Sequence, residues 1–348
     1  MSDHQPEPDA PSFRLRAREF FARLFRRAPP EPGRFEPGSK FSWHGWVSVA
    51  PLVWPSREYL VYVPRGHARW RRRPLLVLLH GCRQTPEQFA AGTRIAAWAD
   101  EHDWLVLLPR QTPHANPWGC WNWFDRRTVA GKGEAAIVAA QVRAVRRLYR
   151  AHPRRMFIAG MSSGACLAAV LGLRFAKLFA AVGVHSGVAC GAASRPALAL
   201  QVLSTGANGD IDALAAQARE QTSPGALPLP LCVIHGERDH VVSEKNAVEV
   251  LRQFLVFNGR LPANGGALPD ADASLVTALP ADGIMTVDDY RIDGQVVARR
   301  VRVAGLGHAW SGGDAAFAYN DAQPPDATAL FGEFFAAQFG RRDVWVGK

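Results

Sequence analysis

The chain has 348 residues, 48% of them hydrophobic, and a formal net charge of +10 carried almost wholly by arginine, since only five of its 41 basic residues are lysine. That length and composition suit one large globular core and argue against a disordered or fibrous chain. No apolar run reaches the length of a membrane span, and five cysteines without a C-x-x-C pair announce neither a disulfide scaffold nor a zinc knuckle.

The start, MSDHQPEPDAPSF, lacks the basic opening and apolar core of a secretory signal, so the expected location is cytoplasmic. Residues 1–35 read as a basic appendage, with RLRAREFFARLFRR at 14–27 and breaks at Pro29, Pro30 and Pro32. As a helix this segment sets Phe20, Phe21 and Leu24 near one side, as an interfacial segment would, and docking on an anionic granule surface is one reading. The plainer reading is a helix or tail with solvated arginines. No nucleic-acid-binding motif follows.

Residues 36–348 read as one catalytic domain. WVSVAPLVW and REYLVYVP look like leading antiparallel strands. RRPLLVLLHG, WLVLLPR, RRMFIAG, FAAVGVHSG and LPLCVIHGERD are continuous apolar runs ended by glycine or proline or by polar residues, the pattern of strands buried on both faces. Between them QFAAGTRIAAWADEH, GEAAIVAAQVRAVRRLYR, SGACLAAVLGLRFAKLF and SEKNAVEVLRQFLVFNG have helical character, and Ser243 is a plausible cap for the last. The alternation predicts an α/β fold, a mostly parallel central sheet flanked by helices. Residues 259–284 read as a loop insertion, IMTVDDYRIDGQVVARRVRV as a hairpin about Asp293-Gly294, and ATALFGEFFAAQF as the last helix.

GMSSG, at 160–164, joins a strand to a helix, which is the context a nucleophile elbow requires. The glycines leave room for the turn, Ser162 projects from it, and the helix N-terminus favours negative charge developing nearby. Ser163 is the nearest rival. A serine hydroxyl needs a base, and the base an orienting acid, both after the serine in this fold. CVIHGERDHVV supplies Asp239, with Glu237 and His240 competing, and VAGLGHAWSGG supplies His308 between glycines. His235 lies too close to its strand to be preferred as base. There is no H-E-x-x-H, no G-x-G-x-x-G after an opening strand and no phosphate loop, so neither metal nor cofactor is expected.

Together LLHGCRQTPEQFA, CWNWF, GMSSGACLA, HGERDHVV and GLGHAWSGG followed by AYNDAQPPDATALFGEFF resemble the poly(3-hydroxybutyrate) depolymerase family of esterases, within the α/β-hydrolases, over about residues 56–336. The resemblance implies serine ester hydrolysis on polyhydroxyalkanoate chains or related carboxylic esters, with Ser162 as nucleophile, Asp239 as acid and His308 as base. It also implies that the backbone N–H groups of Cys82 and Ser163 hold the oxyanion, a role the loop after LLVLLH could fill beside the elbow. Trp118, Trp121, Trp123, Phe124 and Trp310 are candidate walls of an apolar substrate cleft. Other substrates of the same chemistry are feruloyl, acetyl or other short-chain esters, and a non-catalytic granule- or polyanion-binding role is the remote alternative. If the loops bearing Cys82 and Cys120 rim one cleft, the two cysteines come near each other, either bridged or packed as free thiols.

Overall fold

In the computed structural model, residues 32–68, 70–207, 209–223, 226, 228–279 and 283–340 are described. The chain enters through Arg34–Phe41 (β1) and Ser56–Val63 (β2). The apolar runs follow as Leu75–Leu79 (β3), Leu105–Pro109 (β4), Met156–Met161 (β5), Ala181–His185 (β6) and Leu231–Gly236 (β7), each buried along its whole length. Ala273–Leu279 (β8), Gly283–Ile292 (β9) and Gln295–Val303 (β10) complete a ten-stranded sheet in the order β1-β2-β4-β3-β5-β6-β7-β10-β9-β8. The strands from β4 to β10 in that order run parallel, and antiparallel pairs extend the sheet at both sides. Trp310–Ser311 (β11) and Asn320–Asp321 (β12) form a separate small pair.

The helices are Pro86–Gly92 (α1), Ile95–His102 (α2), Arg126–Val129 (α3), Gly133–Leu148 (α4), Ser163–Arg174 (α5), Pro196–Thr205 (α6), Ile211–Glu220 (α7), Lys245–Asn258 (α8) and Ala327–Ala336 (α9). On one face of the sheet α4, α5 and α8 bury Val138, Val142, Leu167, Val250 and Phe254. On the other, α1, α2 and α9 bury Phe89, Ile95, Ala99, Phe331 and Phe335 against Trp104 and Phe157. This is the α/β-hydrolase fold, and helix layers on both faces are what strands apolar on both faces require.

Four details differ from the sequence reading, each for a local reason. WVSVAPLVW is a turn-rich loop with a single bridge, Val47 to Ala50, and the first strand is instead RFEPGSKF. Pro37 sits inside that strand because β1 is the sheet edge, where no neighbour needs its missing N–H. The helix read over Gln88–His102 is two: Thr93 turns its hydroxyl back on the Phe89 carbonyl (2.7 Å) and Arg94 takes a left-handed φ of 54°. Within the loop insertion, β8 forms as an exposed edge strand. Helix α8 starts from Glu244 without a side-chain cap, although Ser243 Oγ does accept from the Lys245 N–H (3.4 Å). The hairpin turn is as expected, with Asp293 and Gly294 at φ 49° and 74°. Residues 1–31 of the basic appendage lie outside the described residues, and β1 begins at Arg34, inside the 1–35 boundary.

The C-terminal ends of the parallel strands all face one edge of the sheet. Because β2 is antiparallel to β4, with Tyr59 opposite Pro109, the connection 42–55 that enters β2 lies at this same edge.

Candidate active site

Ser162 stands between β5 and α5 with φ 55° and ψ −124°, a sparsely populated combination for a residue with a side chain. Two glycines make this turn possible. A Cβ on Gly160 would lie 2.6 Å from the Gly164 carbonyl carbon, and one on Gly164 would lie 2.2 Å from the Leu79 oxygen. The Ser162 N–H donates to the His185 carbonyl (2.9 Å), which ties the elbow to the neighbouring strand β6. Ser162 is partly exposed. Ser163 is buried, and its Oγ accepts from the Trp121 N–H (3.4 Å), so it points away from solvent.

Asp239 follows β7 and its side chain is fully buried. One carboxylate oxygen accepts from the N–H groups of Val241 (2.9 Å) and Val242 (2.8 Å), and the other from His308 Nδ1 (2.8 Å). Burial pushes the carboxyl up, but the His308 hydrogen bond and charge and the Val242 N–H more than offset this and hold it at about 2. The carboxylate therefore fixes His308 with Nδ1 protonated and Nε2 free. The competing residues Glu237 and His240 are exposed. His235 is buried 3.7 Å from the same carboxylate, but its Nε2 donates to the Val242 carbonyl (2.8 Å). Burial lowers the pKa of His235 and takes His185 down to about 3, which disfavours a charge on either ring.

The loop after β3 packs on the elbow, since a Cβ on Gly81 would sit 3.4 Å from that of Ser162. The Gly81 N–H is taken by Gln84 Oε1 (2.9 Å), and the Gln84 amide donates to the Ala318 carbonyl (3.2 Å). Next to Ala318, Tyr319 sets its ring edge-on to His308 at 6.3 Å. Gln84 thus links the loop after β3 to the segment beside His308. Among the described residues, the N–H groups of Cys82 and Ser163 have no acceptor and remain available to an anion. In this arrangement Ser162 and His308 do not share a hydrogen bond; such contacts are often long before substrate binds.

Cys82 and Cys120 form a disulfide, Cα atoms 4.2 Å apart, while Cys166, Cys190 and Cys232 are buried thiols. The bridge ties the loop after β3 to the aromatic loop. Of the five candidate cleft rings, only Trp118 is exposed, with the Arg83 guanidinium 4.6 Å from its centroid. Trp121, Trp123, Phe124 and Trp310 are buried. Trp121 Nε1 donates to the His80 carbonyl (3.0 Å), Trp310 Nε1 donates to Thr328 Oγ1 (3.1 Å), and the Trp310 ring stacks on His185. These four rings act as packing beneath the site instead of an open wall; Trp121 and Trp310 find polar partners inside, and Trp123 packs edge-on to Phe124.

Sequence reasoning missed what holds that loop. Glu134, at the start of α4, accepts from Gln111 Nε2 (2.6 Å) and from both the backbone N–H (2.7 Å) and amide (2.9 Å) of Asn122. Arg57 lies 3.5 Å away, also buried. Burial pushes the Glu134 carboxyl up, and Arg57 and the amides pull it the other way. An arginine at the head of the strand-like REYLVYV was the visible signal. Beside this pair opens a groove of about 840 Å³, lined by Leu52, Trp54, Glu58, Arg110, Gln111 and His114 among others. Gln111 Nε2 also reaches the Cys120 carbonyl (2.9 Å), so the groove abuts the disulfide. No group of His, Cys, Asp and Glu among the described residues could hold a metal ion, and no described helix is long and apolar enough to cross a membrane.

The family profile described as "Esterase PHB depolymerase" matches residues 57–280. The chain is similar to poly(3-hydroxyalkanoate) depolymerase C of Paucimonas lemoignei, 29% identical over 200 residues that cover 57% of this chain and 48% of that protein. It is similar also to acetylxylan esterase A of Emericella nidulans, 27% identical over 205 residues (56% and 66%), and to feruloyl esterase B of Neurospora crassa, 30% over 128 residues (37% and 43%). The chain thus spans about half the length of the first of these relatives. Among solved structures, an acetyl xylan esterase from Aspergillus awamori shares the fold, with a TM-score of 0.65 at 19% identity, covering 87% of this chain and 99% of that one.

Proposed function

The chain belongs to the PHB depolymerase esterase family, and on that premise we propose that it is a serine carboxylic-ester hydrolase with Ser162 as nucleophile, His308 as base and Asp239 as the acid that orients it. The observation that carries this reading is the 2.8 Å contact from His308 Nδ1 to the buried Asp239 carboxylate, at the same sheet edge as the strained turn that holds up Ser162. Ser162 Oγ attacks the ester carbonyl and its proton passes to His308 Nε2, while Nδ1–H stays on Asp239. The free N–H groups of Cys82 and Ser163 donate to the developing oxyanion. His308 then returns the proton to the leaving alcohol. Water repeats the attack on the acyl-enzyme and releases the acid.

The acyl group is short. Four of the five aromatic rings that would line a wide apolar acyl cleft are buried, and Trp121 and Trp310 are held by hydrogen bonds, which leaves little apolar wall beside Ser162. The relative named for acetylxylan esters agrees with a small acyl group on a larger alcohol. A second reading, hydrolysis of hydroxyalkanoate oligomers or polymer, is favoured by the exposed rim of Trp43, Leu52 and Trp54 and by the Paucimonas relative. Parallel rates on an acetyl aryl ester, a long-chain aryl ester and hydroxybutyrate oligomers decide between them. Fastest turnover on the oligomers would establish the second reading. The nucleophile is tested by Ser162→Ala, expected to lower kcat by roughly four orders of magnitude or more with the fold retained. Undiminished turnover by the purified variant would refute the assignment. Asp239→Asn is expected to be far more damaging than Glu237→Gln.

A further inference from the structure

Helix α5 carries Ser162 at its N-terminal end and Arg174 at its C-terminal end, about 18 Å away for its length. At that far end, on the opposite edge of the sheet from the ester site, a groove of about 480 Å³ is lined by Arg143, Arg146, Arg174 and Lys177 together with Gln221 and Thr222. No carboxylate lines it. Among the described residues, Arg143, Arg146 and Arg174 have no ion-pair partner.

Two features separate this groove from an ordinary solvated basic face. The cations crowd each other: Arg143 and Arg147 are one turn apart on α4, a repulsive spacing, and Arg146 and Arg147 both lower the Arg143 pKa along with its partial burial. The guanidinium groups are also held. Arg143 lies over the Phe175 ring at 5.4 Å, and Arg174 donates to the Val129 carbonyl (2.7 Å) and to Gln221 Oε1 (3.2 Å). The C-termini of α4 and α5 do favour cations here. Two helix ends supply only about −0.5 charge each, so the three arginines leave roughly two positive charges uncompensated.

A second groove of about 440 Å³ shares Arg174, Phe175, Gln221 and Thr222 with the first and continues it along Ala130, Gly131, Leu173 and Ala218, where no charged group joins. The combined cleft is cationic at one end and neutral at the other. From this we propose that it binds a soluble organic polyphosphate, its closely spaced phosphates on Arg143, Arg146 and Arg174 and its uncharged portion in the neutral half. Planar guanidinium groups match phosphate oxygens two at a time.

The test is calorimetric titration of the full chain at physiological salt with tripolyphosphate, with adenosine triphosphate as the organic probe, and with vesicles containing anionic lipid. One-site binding of both soluble probes is expected, the triphosphate nucleotide binding at least as tightly as tripolyphosphate. Arg143→Gln with Arg146→Gln should weaken both by roughly tenfold or more. Arg72→Gln with Arg195→Gln removes the same charge elsewhere and should leave binding within about twofold, because exposed charges beyond a Debye length are screened. Ester hydrolysis by both double variants serves as the folding control. Non-saturating titration, equal losses in the two double variants, weaker binding of the nucleotide than of tripolyphosphate, or binding to vesicles alone would each overturn the proposal.

Discussion

Two aromatic-rich loops lie at the active-site edge, and on paper they look alike. Residues 42–55 carry Trp43, Trp46 and Trp54; residues 118–124 carry Trp118, Trp121, Trp123 and Phe124. Asp125 joins them, accepting from the N–H groups of Ser48 (2.7 Å) and Val49 (3.2 Å) while capping α3. Yet Trp121 is fully buried, whereas Trp43 and Trp54 are 78% and 62% exposed, stacked chiefly on Phe41 and each other's neighbours. The difference lies in the polar atoms. In the second loop Glu134, Gln111 and the His80 carbonyl satisfy backbone and indole groups, so rings can be buried without stranded donors. Among the described residues the first loop has no such partners for its rings, and Trp43 and Trp54 stay on the rim.

The contrast breaks most visibly at Trp121. Replacing it with Ala should cost about 3–5 kcal/mol, read as a lower midpoint in denaturant, because a large buried ring leaves a cavity and frees the His80 carbonyl. A loss under about 1 kcal/mol would put this ring outside the structural core. Removing the Cys82–Cys120 bridge with a Cys82→Ala, Cys120→Ala pair should cost up to about 4 kcal/mol, as expected for closing a 38-residue separation. It should also lower kcat on a soluble ester, since the bridge anchors the proposed oxyanion loop; unchanged kcat would leave the bridge a purely structural role. Acid titration sharpens the comparison further. Asp239 sits below its ordinary value in the folded chain, so its stabilising contribution is complete above about pH 4 and is lost as pH falls toward 2. Asp239→Asn should flatten that part of the acid-stability curve, and Trp54→Ala should not change it. The smallest effect belongs to the exposed loop itself: Trp54→Ala should alter stability by about 0.5 kcal/mol or less and raise KM only for esters with a large alcohol portion. An equal rise in KM for a small aryl ester would place Trp54 at the acyl site instead of the groove.

The parallel strands and their helices were legible, and Ser162, Asp239 and His308 could be proposed, because each depends on local pattern: apolar runs, glycine spacing, and the order of serine, acid and histidine. What was not legible depends on partners distant in sequence. Whether Trp121 is a wall or a floor rests on Glu134 and His80, and whether Arg57 belongs in a strand rests on Glu134, 77 positions away. RFEPGSKF reads as irregular until its edge position excuses the proline, and ASLVTAL is hidden in a stretch whose flanks are glycine and proline. Gln84 appeared only as part of a motif, and its two hydrogen bonds show what it does.

The two outer strands of the sheet are guarded unequally. Along β1 a proline, a lysine and an arginine–glutamate pair discourage another strand from adding on. Strand β8 has neither proline nor charge in ASLVTAL, and Leu275 and Val276 are 62% and 64% exposed. Its outward row of backbone groups is open to any extended peptide at high concentration. Edge-to-edge association of the described residues is therefore expected from this margin of the sheet. A single lysine at Val276 is the economical change for keeping concentrated samples monodisperse.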